Sequence, residues 1–90
     1  MTTLQVTNTR YTRYGKIRDK FVEALMNEKH STITTKRLYS MVYKAGGSER
    51  TAENYQWLLK RNGLIKSVGY AIWELPKNRT DLKRFNTSNI

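Results

Sequence analysis

Three segments of the chain place apolar residues at intervals of three and four, the spacing that aligns side chains on one face of a helix. They cover residues 14–28, about 35–45 and 48–62. The repeating apolar positions are Ile17, Phe21, Ala24 and Leu25 in the first segment, Leu38, Met41, Val42 and Ala45 in the second, and Ala52, Tyr55 and Leu59 in the third. The pattern predicts three amphipathic helices around a shared core.

Hydroxyl residues and glycines mark the limits of the second and third helices. Thr34 or Thr35 is expected to cap the second helix and Ser48 the third, because a hydroxyl can accept hydrogen bonds from a free first turn. Gly46-Gly47 and Gly63 are expected to end these helices, since glycine tolerates the left-handed backbone found there. The link between the two helices is so short that it predicts a sharp crossing.

Extended segments are predicted on either side of this helix pair. Ile33 lies between threonines, which favours a short strand. After the third helix, "LIKSVGYAIWEL" contains two β-prone stretches, residues 64–67 and 71–75, with a turn expected at residues 68–70. Pro76 closes this predicted hairpin, because proline cannot donate to a strand ladder.

The two ends of the chain have weaker patterns. Residues 1–13 are predicted to form a flexible basic arm, with a short edge strand as the alternative. Residues 77–90 are predicted to be a C-terminal tail or short helix, with Leu82 and Phe85 on one side of one or two helical turns.

Charge is the strongest global signal in this chain of 90 residues. Seventeen Lys and Arg residues face seven Asp and Glu residues, for a formal net charge of +10. The positive residues are spread through the predicted helices, so a basic tail does not explain them. Because each neutralised phosphate releases counterions, such a field favours a nucleic acid as partner. A merely soluble basic surface is the alternative, and no membrane partner is expected.

Composition makes several classes of protein improbable. The chain has no cysteine and one histidine, His30, so disulfide scaffolds and thiolate or multi-histidine metal sites are not expected. No apolar run approaches the ~20 residues that cross a bilayer, and the N-terminus lacks a signal peptide's apolar core. The carboxylates are not paired for acid–base work, and no glycine-rich phosphate loop is present. We expect a cytoplasmic, nucleoid-associated protein that is not an enzyme and uses no cofactor.

The order of predicted elements resembles a winged helix-turn-helix domain over residues 14–76. The stretches that carry the resemblance are "ITTKRLYSMVYKAGG", "SERTAENYQWLLKRNGLI" and "IKSVGYAIWEL". Gly63-Leu64-Ile65 matches the step that leads from the family's third helix into its wing. Leu59, Tyr55 and Ala52, which lie four, eight and eleven residues before that glycine, match its core positions. The resemblance implies an α+β fold of three helices plus a short β-hairpin wing.

In size, basicity and sparseness of acidic residues, the chain is also similar to small winged-helix proteins of archaeal plasmids and viruses. These include transcription regulators and the centromere-binding proteins of plasmid partition systems. The resemblance implies that the third helix enters the major groove, with its N-terminal residues at the base edges.

Opposite its apolar face, the third helix carries a polar one. The candidate base-contacting residues are Ser48, Arg50, Thr51, Glu53 and Asn54. Arg50 is suited to guanine O6 and N7, and Asn54 to adenine N6 and N7, while Glu53 could accept from cytosine N4 or hold Arg50. Arg61 and Lys60 are expected at phosphates. A solvated helix face is the alternative for all of them. Trp57 is expected to pack against the base of the wing, the N-terminal arm or a second subunit rather than stack on bases.

Further candidates flank this helix. Near the start of the second helix, Thr35, Lys36, Arg37 and Tyr39 are expected at the phosphate backbone, with capping, solvation and core packing as alternatives. Lys66, Ser67 and Tyr70 bracket the hairpin tip and are expected to follow a minor groove or backbone. A separate basic cluster lies where the predicted arm meets the first helix and consists of Arg10, Tyr11, Arg13, Tyr14 and Lys16. This segment could lie along DNA, stay disordered or contact a second subunit.

The leading hypothesis is a sequence-specific binder of double-stranded DNA, acting as a homodimer. Its role would be transcriptional regulation or DNA segregation as a centromere-binding adaptor. The alternatives are an RNA-binding or ribosome-associated basic protein, and a protein-interaction module that docks a partner through the third helix or Trp57.

Overall fold

The helices and strands follow the pattern of apolar residues along the chain. The computed structural model describes residues 15–87. Its elements are helix α1 (residues 15–26), strand β1 (Thr32–Thr34), helix α2 (Thr35–Lys44), helix α3 (Glu49–Arg61), strands β2 (Lys66–Gly69) and β3 (Ile72–Glu74), and a C-terminal 3-10 helix (Arg79–Arg84). The predicted α+β class is confirmed, and this order is compatible with a winged helix. The basic arm predicted for residues 1–13 lies outside the described residues.

Both predicted helix caps are present. Thr34, one of the two threonines considered for α2, accepts a hydrogen bond from the backbone N–H of Arg37 at 3.1 Å. Ser48 accepts one from the N–H of Thr51 at 3.2 Å and so caps α3. Each bond satisfies a first-turn N–H that has no partner within its helix.

The turn between α2 and α3 is held by the glycine pair. Gly46 adopts φ +102, and the N–H of Gly47 donates to Val42 O at 2.9 Å. A Cβ placed on Gly47 would lie 2.6 Å from Val42 Cγ1 and 3.1 Å from Thr51 Cγ2. Gly47 is therefore required by the close approach of α2 to the first turn of α3.

Replacing Gly47 by alanine is expected to lower the free energy of unfolding by about 1–3 kcal/mol, the usual cost of overpacking. Denaturant unfolding measures the loss. Gly69→Ala is the matched control, because a Cβ there meets Ile72 Cδ1 at an ordinary 3.6 Å. Equal stability of the two variants would show that the α2–α3 turn relaxes without cost.

One antiparallel sheet joins the hairpin to the segment before α2. Its strand order is β1-β3-β2. Trp73 on the central strand β3 lies opposite Ile33 of β1 and opposite Ser67 of β2. The predicted strand at Ile33 is confirmed. The sheet therefore attaches the hairpin to the start of α2.

The predicted position of the hairpin turn is wrong. Strand β2 continues through Gly69, and the turn falls at Tyr70 and Ala71, where Ala71 adopts φ +55. The cause is a register shift between Ser67 and Gly69, a bulge that takes Val68 into the strand as an extra residue. No local sequence pattern indicates such a bulge, whereas Gly69 favoured a turn at residues 68–70.

The start of the first β-prone stretch also differs from the prediction. Leu64 and Ile65 precede β2, and both are buried. Their backbone N–H groups donate to Leu59 O at 2.9 and 3.4 Å, following Gly63 at φ +71. These residues therefore finish the C-terminal cap of α3 rather than begin the hairpin.

The core joins all the helices, including the last one. The rings of Phe21, Tyr55 and Phe85 form a cluster, with centroids 5.2 Å apart for Phe21–Tyr55, 5.1 Å for Tyr55–Phe85 and 6.1 Å for Phe21–Phe85. The segment predicted as a C-terminal tail or short helix thus contributes Phe85, together with Leu82, to the same core as α1 and α3.

Two arginines attach this C-terminal segment to the rest of the fold. Arg18 on α1 donates from Nε to Phe85 O at 3.0 Å and from Nη2 to Lys83 O at 2.6 Å. Arg79 donates from Nη2 to His30 O at 2.7 Å, which ties the 3-10 helix to the loop before β1. Both guanidinium groups therefore donate hydrogen bonds to backbone carbonyls within the protein.

Candidate nucleic-acid interface

Helix α3 has one buried face and one open face. Ala52, Tyr55 and Leu59 are buried as predicted, and Leu58 joins them. The opposite side carries a row of side chains spaced four, three and four residues apart, which the helical period aligns. This row, here called the α3 stripe, consists of Arg50, Asn54, Trp57 and Arg61. Arg50, Trp57 and Arg61 are exposed and Asn54 is half-buried. At 1.5 Å per residue, the stripe runs about 16 Å along the helix.

The polar heads at the start of the stripe have few partners within the protein. Across residues 15–87, the side chains of Arg50 and Asn54 form no hydrogen bond, and Arg50 forms no ion pair. The predicted alternative, in which Glu53 holds Arg50 by an ion pair, is therefore not observed. Both side chains keep their full hydrogen-bonding capacity for a ligand.

The first turn of α3 is occupied by capping. Besides accepting from the N–H of Thr51, Ser48 Oγ lies 3.1 Å from Thr51 Oγ1. Ser48 is exposed and Thr51 is half-buried. Both belong to the predicted contact set, and the structure gives them a definite role in starting the helix.

The acidic residues of α3 face a different neighbour. Burial raises the pKa of Tyr39 on α2, and Glu53, Tyr43 and Glu49 raise it further by their charges. The carboxylates of Glu53 and Glu49 thus act by charge on Tyr39 of α2. Tyr39 packs against the core and meets Tyr43 edge-on at 6.4 Å, so its predicted phosphate contact competes with packing.

At the C-terminal end of the stripe an aromatic ring and a cation stack. The guanidinium carbon of Arg61 lies 5.0 Å from the ring centroid of Trp57, and Trp57 remains 56% exposed. This cation–π contact joins two residues of the same helix, and the predicted packing of Trp57 on the N-terminal arm lies outside the described residues. The spacing of four residues could have predicted the contact, since such pairs are neighbours on a helix.

The residues near the start of α2 that are predicted to contact DNA differ in whether they already have a partner within the fold. Lys36 is exposed and forms no ion pair in the described part of the chain. Thr35 Oγ1 accepts a hydrogen bond from Trp73 Nε1 at 2.9 Å. Thr35 therefore links α2 to β3, a role that no local pattern signals, because 38 residues separate the two partners.

Arg37 is committed as well, because it pairs with a buried carboxylate. Its Nε donates to Glu28 Oε2, and the Glu28 side chain is only 3% exposed. The hydrogen bond from Arg37 lowers the pKa of Glu28 below its usual value, outweighing the opposite effect of burial. Arg37 is therefore held by Glu28 through Nε, although its side chain remains 59% exposed.

The hairpin presents the third group of predicted contacts. Lys66, Ser67 and Tyr70 are all exposed, and Tyr70 at the turn is 98% exposed. Lys60 on α3 lies beside the hairpin, with Nζ 6.0 Å from the Trp73 ring centroid. Lys60 and Lys66 thus place positive charge between the end of α3 and the hairpin. Of the predicted cluster of Arg10, Tyr11, Arg13, Tyr14 and Lys16, the structure describes Lys16, which is exposed on α1.

No family model, curated protein or solved structure matches this chain. Across residues 15–87, none of the helices has the length and apolar character needed to cross a bilayer.

Proposed function

We propose that this protein is a winged helix-turn-helix domain that binds double-stranded DNA sequence-specifically, with α3 in the major groove. The observation that carries the proposal is the α3 stripe. It opposes a fully buried helix face, and it begins with a guanidinium and an amide that have no partners across residues 15–87. A groove about 12 Å wide admits one helix with such a row of side chains.

The first two residues of the stripe suit base readout. Arg50 and Asn54 are one turn apart, about 6 Å along the axis, so they can reach neighbouring base pairs. Arg50 can donate two hydrogen bonds to guanine O6 and N7, and Asn54 can pair with adenine N6 and N7. Because neither side chain must first break a bond within residues 15–87, binding sacrifices no contact there.

Positive residues on three elements support phosphate binding around this helix. Exposed cations that form no ion pair within residues 15–87 include Lys36 on α2, Lys60 and Arg61 on α3, and Lys66 on β2. Four phosphate contacts per copy would give a slope of about −3 to −4 in log affinity against log salt, at about −0.9 per phosphate. Arg18, Arg37 and Arg79 are left out of this group, since each is committed within the fold.

One helix reads only a few base pairs, so we expect a homodimer. Two-fold symmetry would place two copies of α3 on half-sites about one helical turn apart. Such a protein would associate with the nucleoid as a transcription regulator or as an adaptor in DNA segregation. Footprinting distinguishes these roles, because a bounded palindrome favours regulation and protection that spreads with concentration favours a centromere.

The proposal is tested by selecting binding sites from random duplexes and titrating the winning duplex against a structured RNA at matched salt. We expect the selected duplex to bind at least about tenfold more tightly than the RNA, with a salt slope of about −6 to −8 for the dimer, twice that of one copy. A preference for the RNA would favour the ribosome-associated alternative. An activity that survives salt high enough to abolish DNA binding would favour a protein-interaction module.

A further inference from the structure

Trp57 is a large apolar group in the middle of a row of polar ones. It is 56% exposed, although the core of α3 is already complete without it. Because the indole lies on the open face of α3, any ligand that binds this face would cover it. Trp57 lies three residues beyond Asn54, about 4.5 Å along the helix axis, on the same side of α3.

Arg61 restricts the position of this indole. Its guanidinium lies 5.0 Å from the ring centroid, so one region of the indole is covered by a cation. A stacked guanidinium keeps its in-plane N–H donors, which remain available to a phosphate. Arg61 can therefore bind the DNA backbone and hold the Trp57 ring at the same time, as a positioning residue.

The chemistry of the major groove limits what Trp57 can contact there. Bases in a duplex are already stacked, so their faces are not open to an indole. The edges of the base pairs carry donors and acceptors, and the C5-methyl group of thymine is the apolar feature among them. We infer that Trp57 is a specificity-determining residue that contacts a thymine methyl group, an inference that rests on the proposed DNA-binding function.

The position of Trp57 also predicts where the thymine lies. A step of about 4.5 Å from Asn54 slightly exceeds the ~3.4 Å spacing of base pairs. The thymine is therefore expected one or two base pairs from the adenine that Asn54 contacts. Each half-site would combine a guanine for Arg50, an adenine for Asn54 and a thymine for Trp57.

The test replaces each thymine of the selected duplex in turn by deoxyuridine, which removes only the methyl group. For the wild-type protein we expect one position per half-site where this weakens binding about fourfold, equivalent to the ~0.8 kcal/mol of one buried methyl group. Trp57→Ala should bind thymine and deoxyuridine duplexes equally at that position. Its melting temperature should stay close to that of the wild type, because Trp57 is 56% exposed and lies outside the core cluster.

Tyr43→Ala is the matched control, because Tyr43 is also an exposed aromatic residue, 47% exposed, but lies on α2 outside the α3 stripe. This variant should keep the full discrimination between thymine and deoxyuridine. Discrimination that persists in Trp57→Ala, or a duplex that binds well with every thymine replaced, would overturn the inference while leaving the proposed function intact. A protein that binds no duplex would overturn both.

Discussion

Replacing Phe85 by alanine is expected to lower the free energy of unfolding by about 3–5 kcal/mol, the range found for buried phenylalanines. Phe85 is 1% exposed, and its ring centroid lies 5.1 Å from that of Tyr55 and 6.1 Å from that of Phe21. The substitution would leave a cavity where α1, α3 and the C-terminal segment meet. Since small domains have only about 5–15 kcal/mol of stability, the loss should be a large fraction of the total.

Denaturant unfolding of the full chain measures this effect. Arg84→Ala is the matched control, because Arg84 is the neighbouring residue and is exposed. Phe85→Leu, which keeps much of the apolar volume, should fall between Phe85→Ala and the wild type, and it gives a measurable value if the alanine variant does not fold. If Phe85→Ala were as stable as Arg84→Ala, the C-terminal segment would not belong to the core.

Replacing Arg50 by alanine is expected to weaken binding to the selected duplex by about 1–3 kcal/mol per half-site, the discrimination carried by one bidentate base contact. The guanidinium is exposed and has no ion pair across residues 15–87, so its loss should leave the fold intact. Binding to random duplexes should change far less, because they rarely present a guanine at the required position.

Lys36→Ala provides the matched control for Arg50→Ala. Lys36 is an exposed cation on α2 rather than on the α3 stripe, and it is expected to contact a phosphate. Its loss should weaken binding to selected and random duplexes by the same factor and reduce the size of the salt slope by about one per copy, or about two for the dimer. If Arg50→Ala showed that same uniform loss, Arg50 would be a backbone contact and not a base contact.

Local patterns were sufficient to predict most of the helical part of the fold. The caps at Thr34 and Ser48 and the buried face of α3 follow from short-range rules, because hydroxyl capping and the helical period act within a few residues. The α3 stripe follows from the same period. Its open side chains are therefore the part of the candidate site that the sequence predicts best.

The rest of the fold depends on contacts between distant parts of the chain. The Phe85 carbonyl that binds Arg18 lies 67 residues away in sequence, and nine residues separate Arg37 from Glu28. No local rule pairs such residues, so the commitment of Arg37 within the fold could not be predicted. The hairpin turn was misplaced for a related reason, since the bulge at Val68 depends on pairing with β3.

The most direct test of whether Arg50 contacts guanine in the major groove is to remove an acceptor atom from the major-groove edge of guanine. Each guanine of the selected duplex is replaced in turn by 7-deazaguanine, which removes the N7 acceptor and leaves Watson–Crick pairing unchanged. The predicted result is one guanine per half-site where the replacement weakens binding of the wild-type protein but has no effect on Arg50→Ala. Equal binding of every substituted duplex by the wild-type protein would contradict the placement of α3 in the major groove.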